Sequence, residues 1–445
     1  MRDFAISENL EVQAQLDRLG ELTLPQGRFG LETIAALLGR IGNPQRNLPP
    51  TFHVAGTNGK GSTCAYLRAM LESQGFTVHS ATKPHLVRYN ERIRIAGKLI
   101  EDDLLAALLK EVLDAGADLS PSFFEVTAAA AFLAFARHPA DACVIEVGLG
   151  GRFDATNVLE RPAACGIATL GIDHEAFLLR PEGGVPQEPM ERIAFEKASI
   201  AKPGAPLVTL AYPRAVAQAV ARTAASHRAE LFMRGQAWGA ERGPGGIEYY
   251  DCYGPLKLPL PSLAGAHQAD NAALAVAMLR HQDELKVSPE AIAAGIRDAR
   301  WPARLQQLGP GPLTDMLPGR TVWLDGTHNA DAARAVASAM ADKAPFDLIF
   351  GLTRNRRIAD VLGPFAPLVR KAHTVPLPGH EHHDPRDIAM VAQGGLGPRL
   401  CYPAFSLVEA LERLADDAEG APHVLIAGSL YLAGEALRLN RELPD

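Results

Sequence analysis

No CxxC pair occurs in the chain: its five cysteines, Cys64, Cys143, Cys165, Cys252 and Cys401, are scattered. That spacing offers neither a zinc site nor a disulfide frame and points to free thiols in a reducing compartment. Basic residues are not in surplus either. Lys and Arg number 44 against 51 Asp and Glu, a formal net charge of −7 over 445 residues. A protein built around nucleic acid carries the opposite balance, so no nucleic-acid partner is expected. A small anionic ligand needs only a local positive site and stays open. Long apolar runs are also missing. The most apolar, VTAAAAFLAFA at 126–136, is too short to span a bilayer and reads as a buried helix. The start, MRDFAISENLEVQAQL, lacks a basic stretch followed by an apolar core, so no secretion signal is expected. The expected location is the cytoplasm, with no membrane. No GxSxG elbow is present, which sets a serine hydrolase aside.

What is present is an alternation of short apolar runs with helical stretches. FHVAG (52–56), TVHSAT (77–82), ACVIEVG (142–148) and ACGIATLG (164–171) read as strands. STCAYLRAMLESQG (62–75) and LLAALLKEVLDAG (104–116) between them read as helices. Such alternation predicts an α/β fold with a parallel sheet covered on both faces. A second cycle begins near 300, with TVWLDG (321–326), FDLIFGL (346–352) and HVLIAGS (423–429) as strands. The Pro- and Gly-rich WPARLQQLGPGPL (301–313) precedes it, and a domain boundary is expected at about residue 297.

The strongest local signal is VAGTNGKGST (54–63), a strand running through a Gly-rich turn into a helix. Gly56, Thr57, Asn58, Gly59, Lys60, Gly61 and Ser62 make a turn whose backbone N–H groups can approach phosphate oxygens closely. Lys60 adds a full charge, and the hydroxyl of Ser62 or Thr63 suits Mg²⁺. The spacing departs from GxxxxGK[ST], because Gly56 lies three residues before Gly59 and Gly61 separates Lys60 from Ser62. Glu146 closes the apolar run ACVIE, and a carboxylate at a strand's C-terminal end beside such a loop suits a hard cation.

GTNGKGS resembles the loop of the Mur ligase superfamily, in particular its folate branch, the dihydrofolate synthase/folylpolyglutamate synthase family. HLVRYNERI (85–93), SFFEVTAAAAF (122–132), EVGLGGRFDATN (146–157), GIDH (171–174), EKASI (196–200), GAHQADNAALA (265–275), DGTHN (325–329) and GSLYLAGE (428–435) resemble that branch in the same order. The resemblance implies an N-terminal P-loop-type parallel-sheet ATPase domain (1–296) and a smaller Rossmann-like C-terminal domain (297–445). It implies ATP and Mg²⁺ as cofactors, with Glu146 and His174 as magnesium ligands beside Ser62. It implies that Lys197 is carbamylated near the metals. It places Asn271, Arg304, Asp325 and His328 at ATP. The pteroate pocket falls on Ser122, Phe123, Phe124 and Glu125 and on Arg152, Phe153, Asp154 and Ala155. On residue type alone, Phe124 reads equally as a stacking face for a pterin or as core packing, and Asp154 and Asn157 read as turn formers.

The implied reaction is ATP-dependent joining of L-glutamate to dihydropteroate, and to reduced folates, through an acyl phosphate, with catalysis by Lys60, Lys197 and His174. The implied partners are those small molecules, and the implied state is a monomer. Other readings are a Mur-type ligase acting on a different carboxylate, and a nucleotide-binding homologue with altered activity. The departures from the family carry the second of these. Lys83-Pro84-His85 replaces Ser-Pro-His, whose serine binds magnesium, and an ammonium cannot ligate a cation. LLRPEGGVPQEP (178–189) is longer than the family's segment, DGTHN replaces DGAHN, and GLTRNRRI (351–358) is basic where the family is acidic. HEHHD (380–384) sits in a Pro/Gly-flanked loop without zinc-like partners and reads as a loop.

Overall fold

Continuous apolar runs become the central strands, because a strand covered on both faces has no polar side to show. The structure, a computed structural model, describes residues 6–22 and 30–445. In order, the strands of the first sheet are β1 (Thr51–Ala55), β2 (Val78–Ala81), β3 (Ile93–Ile95), β4 (Lys98–Leu99), β5 (Ala142–Glu146), β6 (Ala164–Ile167), β7 (Pro206–Thr209) and β8 (Glu230–Met233). They form an 8-stranded sheet in the order β4-β3-β2-β5-β1-β6-β7-β8. From β2 to β8 every neighbouring pair is parallel, and β3 and β4 fold back antiparallel at the edge. The sheet is therefore doubly wound about β1, with β5 on one side and β6 on the other.

The helices that matter for the site are α1 (Lys60–Ser73), α2 (Phe123–Arg137), α3 (Pro189–Ala198), α4 (His267–Arg280) and α5 (Pro289–Asp298). α2 is the predicted buried helix: Val126 through Phe135 are all buried, and Ser122 with Glu125 forms a reciprocal capping box at its start. α5 packs backbone to backbone on α1. A Cβ added at Gly295 would lie 2.4 Å from the amide nitrogen of Met70 and 2.5 Å from its Cα.

By backbone contacts the chain divides into two compact units. One holds the described residues up to Ser262 with Gln268–Arg300; the other holds Leu263–His267 with Trp301–Asp445. The second unit contains β12 (Gln306–Gln307), β13 (Thr321–Leu324), β14 (Phe346–Phe350), β15 (Val369–Thr374), β16 (Cys401–Pro403) and β17 (His423–Ala427), after β9 (Trp238–Gly243), β10 (Gly246–Asp251) and β11 (Leu256–Leu258) of the first. Its 6-stranded sheet runs β12-β13-β17-β14-β15-β16 and is parallel except for β12.

The predicted apolar runs all appear as strands, and the fold is α/β with mainly parallel sheets. Sequence reading missed the edge strands β3 and β4, the outer strands β15 and β16, and the 3-stranded antiparallel sheet β11-β10-β9. WGAERG, GIEYYD and VRKAHT put charges on both faces (Glu241 beside Arg242, Glu248 against Asp251, Arg370 beside Lys371), so only their pairing identifies them as strands.

Gly295→Ala is expected to push α5 off α1, because the added methyl meets rigid main chain and not a flexible side chain. A loss of about 1–3 kcal/mol is expected, read as a lower midpoint in chemical denaturation with the helical circular dichroism of the native state retained.

Candidate functional site

The turn after β1 is held in shape from three sides. Gly56 has φ +152° and Gly59 has φ +85°, backbone that side chains rarely adopt. A Cβ on Gly59 would also come within 2.4 Å of Asn271 Oδ1 on α4. From the β6 side, Thr57 N–H donates to the Thr169 carbonyl at 2.7 Å. Thr57 Oγ1 donates to the Gly171 carbonyl at 2.8 Å and accepts from its N–H at 3.0 Å. From below, the Gly56 carbonyl accepts from Lys60 Nζ at 3.0 Å and from Lys197 Nζ at 2.9 Å. α1 then begins at Lys60, and the first amides of a helix lack intrahelical acceptors. Ser62 and Thr63 lie buried in its first turn.

Lys197, on α3, is fully enclosed. Burial first, and the charge of Lys60 second, draw its pKa down to about 7. The ammonium is therefore in balance with a nucleophilic neutral amine near neutral pH.

Glu146 closes β5, buried, with Oε2 accepting from the backbone N–H of Lys83 at 3.0 Å. Lys83 follows β2. Its Nζ is buried, and burial lowers its pKa although Asp154 and Glu146 act in the opposite direction. Asp154 accepts from the amides of Gly148 (3.0 Å), Leu149 (2.8 Å) and Thr156 (3.0 Å), and so shapes the turn it sits in. Its burial favours the neutral form, but Lys83 and these hydrogen bonds outweigh that and leave the carboxyl pKa lowered. His174 follows β6 with φ +53°, its N–H on Asp173 Oδ1 at 2.7 Å and its ring facing the same carboxylate at 3.8 Å. Gly56–Ser62, Glu146, Lys197 and His174 thus gather at the C-terminal edge of one sheet, where ligands bind in α/β folds.

The residues expected at a pteroate pocket divide by role. Ser122 and Glu125 cap α2. Phe123 and Phe124 stand half-buried, edge to face, with centroids 5.3 Å apart. Arg152 is already engaged. It pairs with Glu182 at 2.7 Å and Glu196 at 3.3 Å and lies 4.3 Å over the ring of Phe153. Ala155 is buried, at the start of a short turn of 3₁₀ helix. Sequence reading assigned no role to Glu182, which lies in the long 178–189 segment and also holds Arg192 at 2.8 Å.

In the second unit, Asp325 follows β13. It accepts from the amides of Leu305 (2.7 Å) and Thr327 (2.8 Å), and the Thr327 hydroxyl bonds the same carboxylate. Arg304 sits between Ala303 and Leu305, both at positive φ (+56° and +45°). A Cβ on Gly326 would approach Arg304 Nη1 at 3.4 Å, and His328 Nδ1 lies 3.2 Å from the Gly326 carbonyl. These residues share the C-terminal edge of the second sheet. Asn271 belongs to the first unit, against Gly59. In the HEHHD loop, His382 contacts the carbonyl of His380 at 2.7 Å, His383 that of Arg356 at 2.7 Å, and His380 stacks on Tyr431. Among the described residues no group of three His, Cys, Asp or Glu stands ready to hold a metal.

No model of a protein family matches the chain. It is 33 % identical over 367 residues to the dihydrofolate synthase/folylpolyglutamate synthase of Bacillus subtilis, covering 78 % of this chain and 79 % of that protein. Among solved structures it is similar to E. coli FolC in complex with DHPP and ADP, with a TM-score of 0.83 and 29 % identity over 96 % of this chain and 97 % of that one. It is also similar to a bifunctional folylpolyglutamate synthase/dihydrofolate synthase with Mn, AMPPNP and L-glutamate bound, with a TM-score of 0.80 and 29 % identity over 96 % and 97 % of the two chains.

The Lys197 environment makes a pH-dependent prediction. The folded pKa of about 7 lies below the ordinary lysine value of 10.5, so the penalty is complete when both states are protonated, below pH 7. It fades as pH rises through the window between those values, where only the unfolded chain holds the proton. Lys197→Met is therefore expected to raise the melting temperature by several degrees at pH 6, and by progressively less toward pH 10. A gain that does not depend on pH would show that the amine is not destabilised by burial.

Proposed function

Because the chain belongs to the dihydrofolate synthase/folylpolyglutamate synthase family, we propose that the edge of its first sheet binds ATP through Gly56–Ser62 and activates a folate-type carboxylate beside Glu146. The enzyme is an ATP-dependent ligase that joins L-glutamate to dihydropteroate and to reduced folates. The observation that carries the site assignment is the Lys60 ammonium on the Gly56 carbonyl at the turn where α1 begins, with the Lys197 amine on the same oxygen. A cation beside a glycine turn that opens a helix prepares a place for a polyanion.

The donor set fits a divalent cation. Glu146 offers a buried carboxylate at a strand end, Ser62 a hydroxyl in the first turn of α1, and His174 a half-exposed imidazole. When bound, the cation would supply charge neutralisation for the phosphates. Lys83 takes no part in ligation, since an ammonium has no lone pair to give.

The chain's own residues then do the following. The glycine turn brings amide donors to the phosphates, with Asn271 bracing Gly59 from α4. Lys60 can leave the Gly56 carbonyl for the terminal phosphate, trading a neutral acceptor for a charged one. The γ-phosphoryl group passes to the acceptor carboxylate, the P–O bond to ADP breaks, and an acyl phosphate forms. The glutamate amine attacks the acyl carbon, loses a proton and expels phosphate. No protein nucleophile enters, so positioning and electrostatics supply the catalysis.

Lys197 is the residue we assign to carbamylation, because its balance between ammonium and amine near neutral pH provides the neutral nucleophile that carbon dioxide needs. Arg304, Asp325 and His328 are assigned to nucleotide binding by the second unit, which we take as the C-terminal domain from about residue 297. We place the enzyme in the cytoplasm as a monomer. The cysteines are all unpaired, which suits a reducing compartment. Among the described residues no helix is long and apolar enough to cross a membrane.

The test is phosphate release from ATP with Mg²⁺ and L-glutamate, given dihydropteroate, tetrahydrofolate or no acceptor. Release is expected to require both glutamate and an acceptor. No release with either acceptor, in a chain that still binds ADP, would return the protein to the nucleotide-binding homologues. Gly59→Ala is expected to weaken ADP binding at least about tenfold, measured calorimetrically, because the methyl collides with Asn271 and the positive φ is strained.

A further inference from the structure

Four cations of the first unit stand on two sides of Glu146. The strand order β2-β5-β1 puts the end of β5 between the loops that follow β1 and β2. On the β1 side, Lys60 and Lys197 share the Gly56 carbonyl. On the β2 side stand Lys83 and Arg92. Arg92 donates Nε to His85 Nδ1 at 2.8 Å and lies over the rings of Tyr89 and Phe123 at 5.1 and 5.4 Å.

Lys83 differs from these three. Its Nζ is buried and has no hydrogen-bond partner among the described residues, although an ammonium carries three donors. Its hydrogen bonding is confined to the backbone, whose N–H donates to Glu146, and Asp154 acts on the ammonium only through space. The ammonium lies 5.8 Å from the centroid of Phe124, and a Cβ on Gly148 would sit 3.0 Å from it and 3.1 Å from Asp154 Oδ2. A buried donor without an acceptor costs free energy that an incoming oxygen recovers. The ligand group that fits is a carboxylate joined to a flat ring, with its oxygens on Nζ and its ring along the half-buried Phe124. A phosphate would satisfy the ammonium but would make no use of the aromatic pair, and the β1 turn already serves phosphates.

We propose that Lys83 is a substrate-binding residue that receives the carboxylate of the acceptor, the same carboxylate that is joined to glutamate. The inference rests on the ligase reading above and names the subsite where the acceptor's reacting end lies. It also gives Lys83 a reason to exist beside Glu146: a fixed monovalent cation lets a carboxylate approach a site already crowded with phosphate charge. The residue acts before any phosphoryl transfer, so its effect is visible in binding alone.

The experiment is equilibrium binding to the full chain without ATP, followed by quenching of protein fluorescence. The probes are dihydropteroate and the analogue in which its carboxylate is a carboxamide. Lys83→Met is expected to lose about 10- to 100-fold in dihydropteroate affinity, while Lys83→Arg recovers most of it. Wild type and Lys83→Met are expected to bind the carboxamide with equal affinity. ADP affinity within about twofold of wild type shows that Lys83→Met is folded. Unchanged dihydropteroate binding in Lys83→Met, or an equal loss for acid and amide, overturns the assignment of Lys83 and leaves the ligase reading standing. A wild-type chain that binds ADP but neither dihydropteroate nor tetrahydrofolate overturns both.

Discussion

One carbonyl oxygen organises the first unit's site. The Gly56 carbonyl accepts from Lys60 on the helix that follows it and from Lys197 on α3, two residues 4 and 141 positions after it in the sequence. Burial and the charge of Lys60 depress Lys197, and Asp173, Asp154 and Glu196 offset only part of that. The remaining cost is relieved when something anionic enters. Everything around it can be understood as holding that oxygen in place. Gly56 bends where a side chain would press on Ala168, Thr57 is clamped to the loop after β6, and Gly59 is braced by Asn271.

Sheet topology explains why the charged residues converge. Because β1 lies between β5 and β6, the loops from three neighbouring parallel strands open at one edge. The loop after β1 supplies Lys60, the end of β5 supplies Glu146, and the loop after β6 supplies Asp173 and His174. β2, one strand further out, supplies Lys83. A change in the register of any one strand would move its contribution by a residue and turn the side chain to the other face. The burial of these strands on both faces is therefore a functional constraint as well as a source of stability.

Much of this was legible in the sequence because the informative residues sit in runs. The Gly-rich turn, the strand-ending Glu146 and the GIDH and EKASI segments can each be read locally. What could not be read is what joins them. Lys197 meets Gly56 across 141 residues, and nothing near EKASI says which carbonyl it will reach. Asn271 lies far from Gly59 in the sequence, and nothing in GAHQADNAALA says that it packs against that glycine. Ser122 and Glu125 read as substrate residues, but in the structure they bond one another in a cap, a local pattern visible in S-x-x-E. The polar antiparallel sheet β9 to β11 escaped because its residues alternate for reasons set by pairing.

The departures from the family share a physical theme. Thr327, where the family has alanine, adds a hydroxyl to the Asp325 carboxylate and stiffens the turn after β13. The long 178–189 segment brings Glu182 against Arg152 and Arg192, closing an ion network with Glu196. Arg152 is thereby committed to protein carboxylates, and its charge is largely spent before a substrate arrives. Lys83 is the reverse: its ammonium acts on Asp154 through space but has no hydrogen-bond partner among the described residues, and it lies next to an aromatic face. Lys83 puts positive charge in the loop after β2, while Glu182 engages Arg152 in the turn after β5. Specificity for the acceptor should therefore depend on the loop after β2 more than on the turn that carries Arg152.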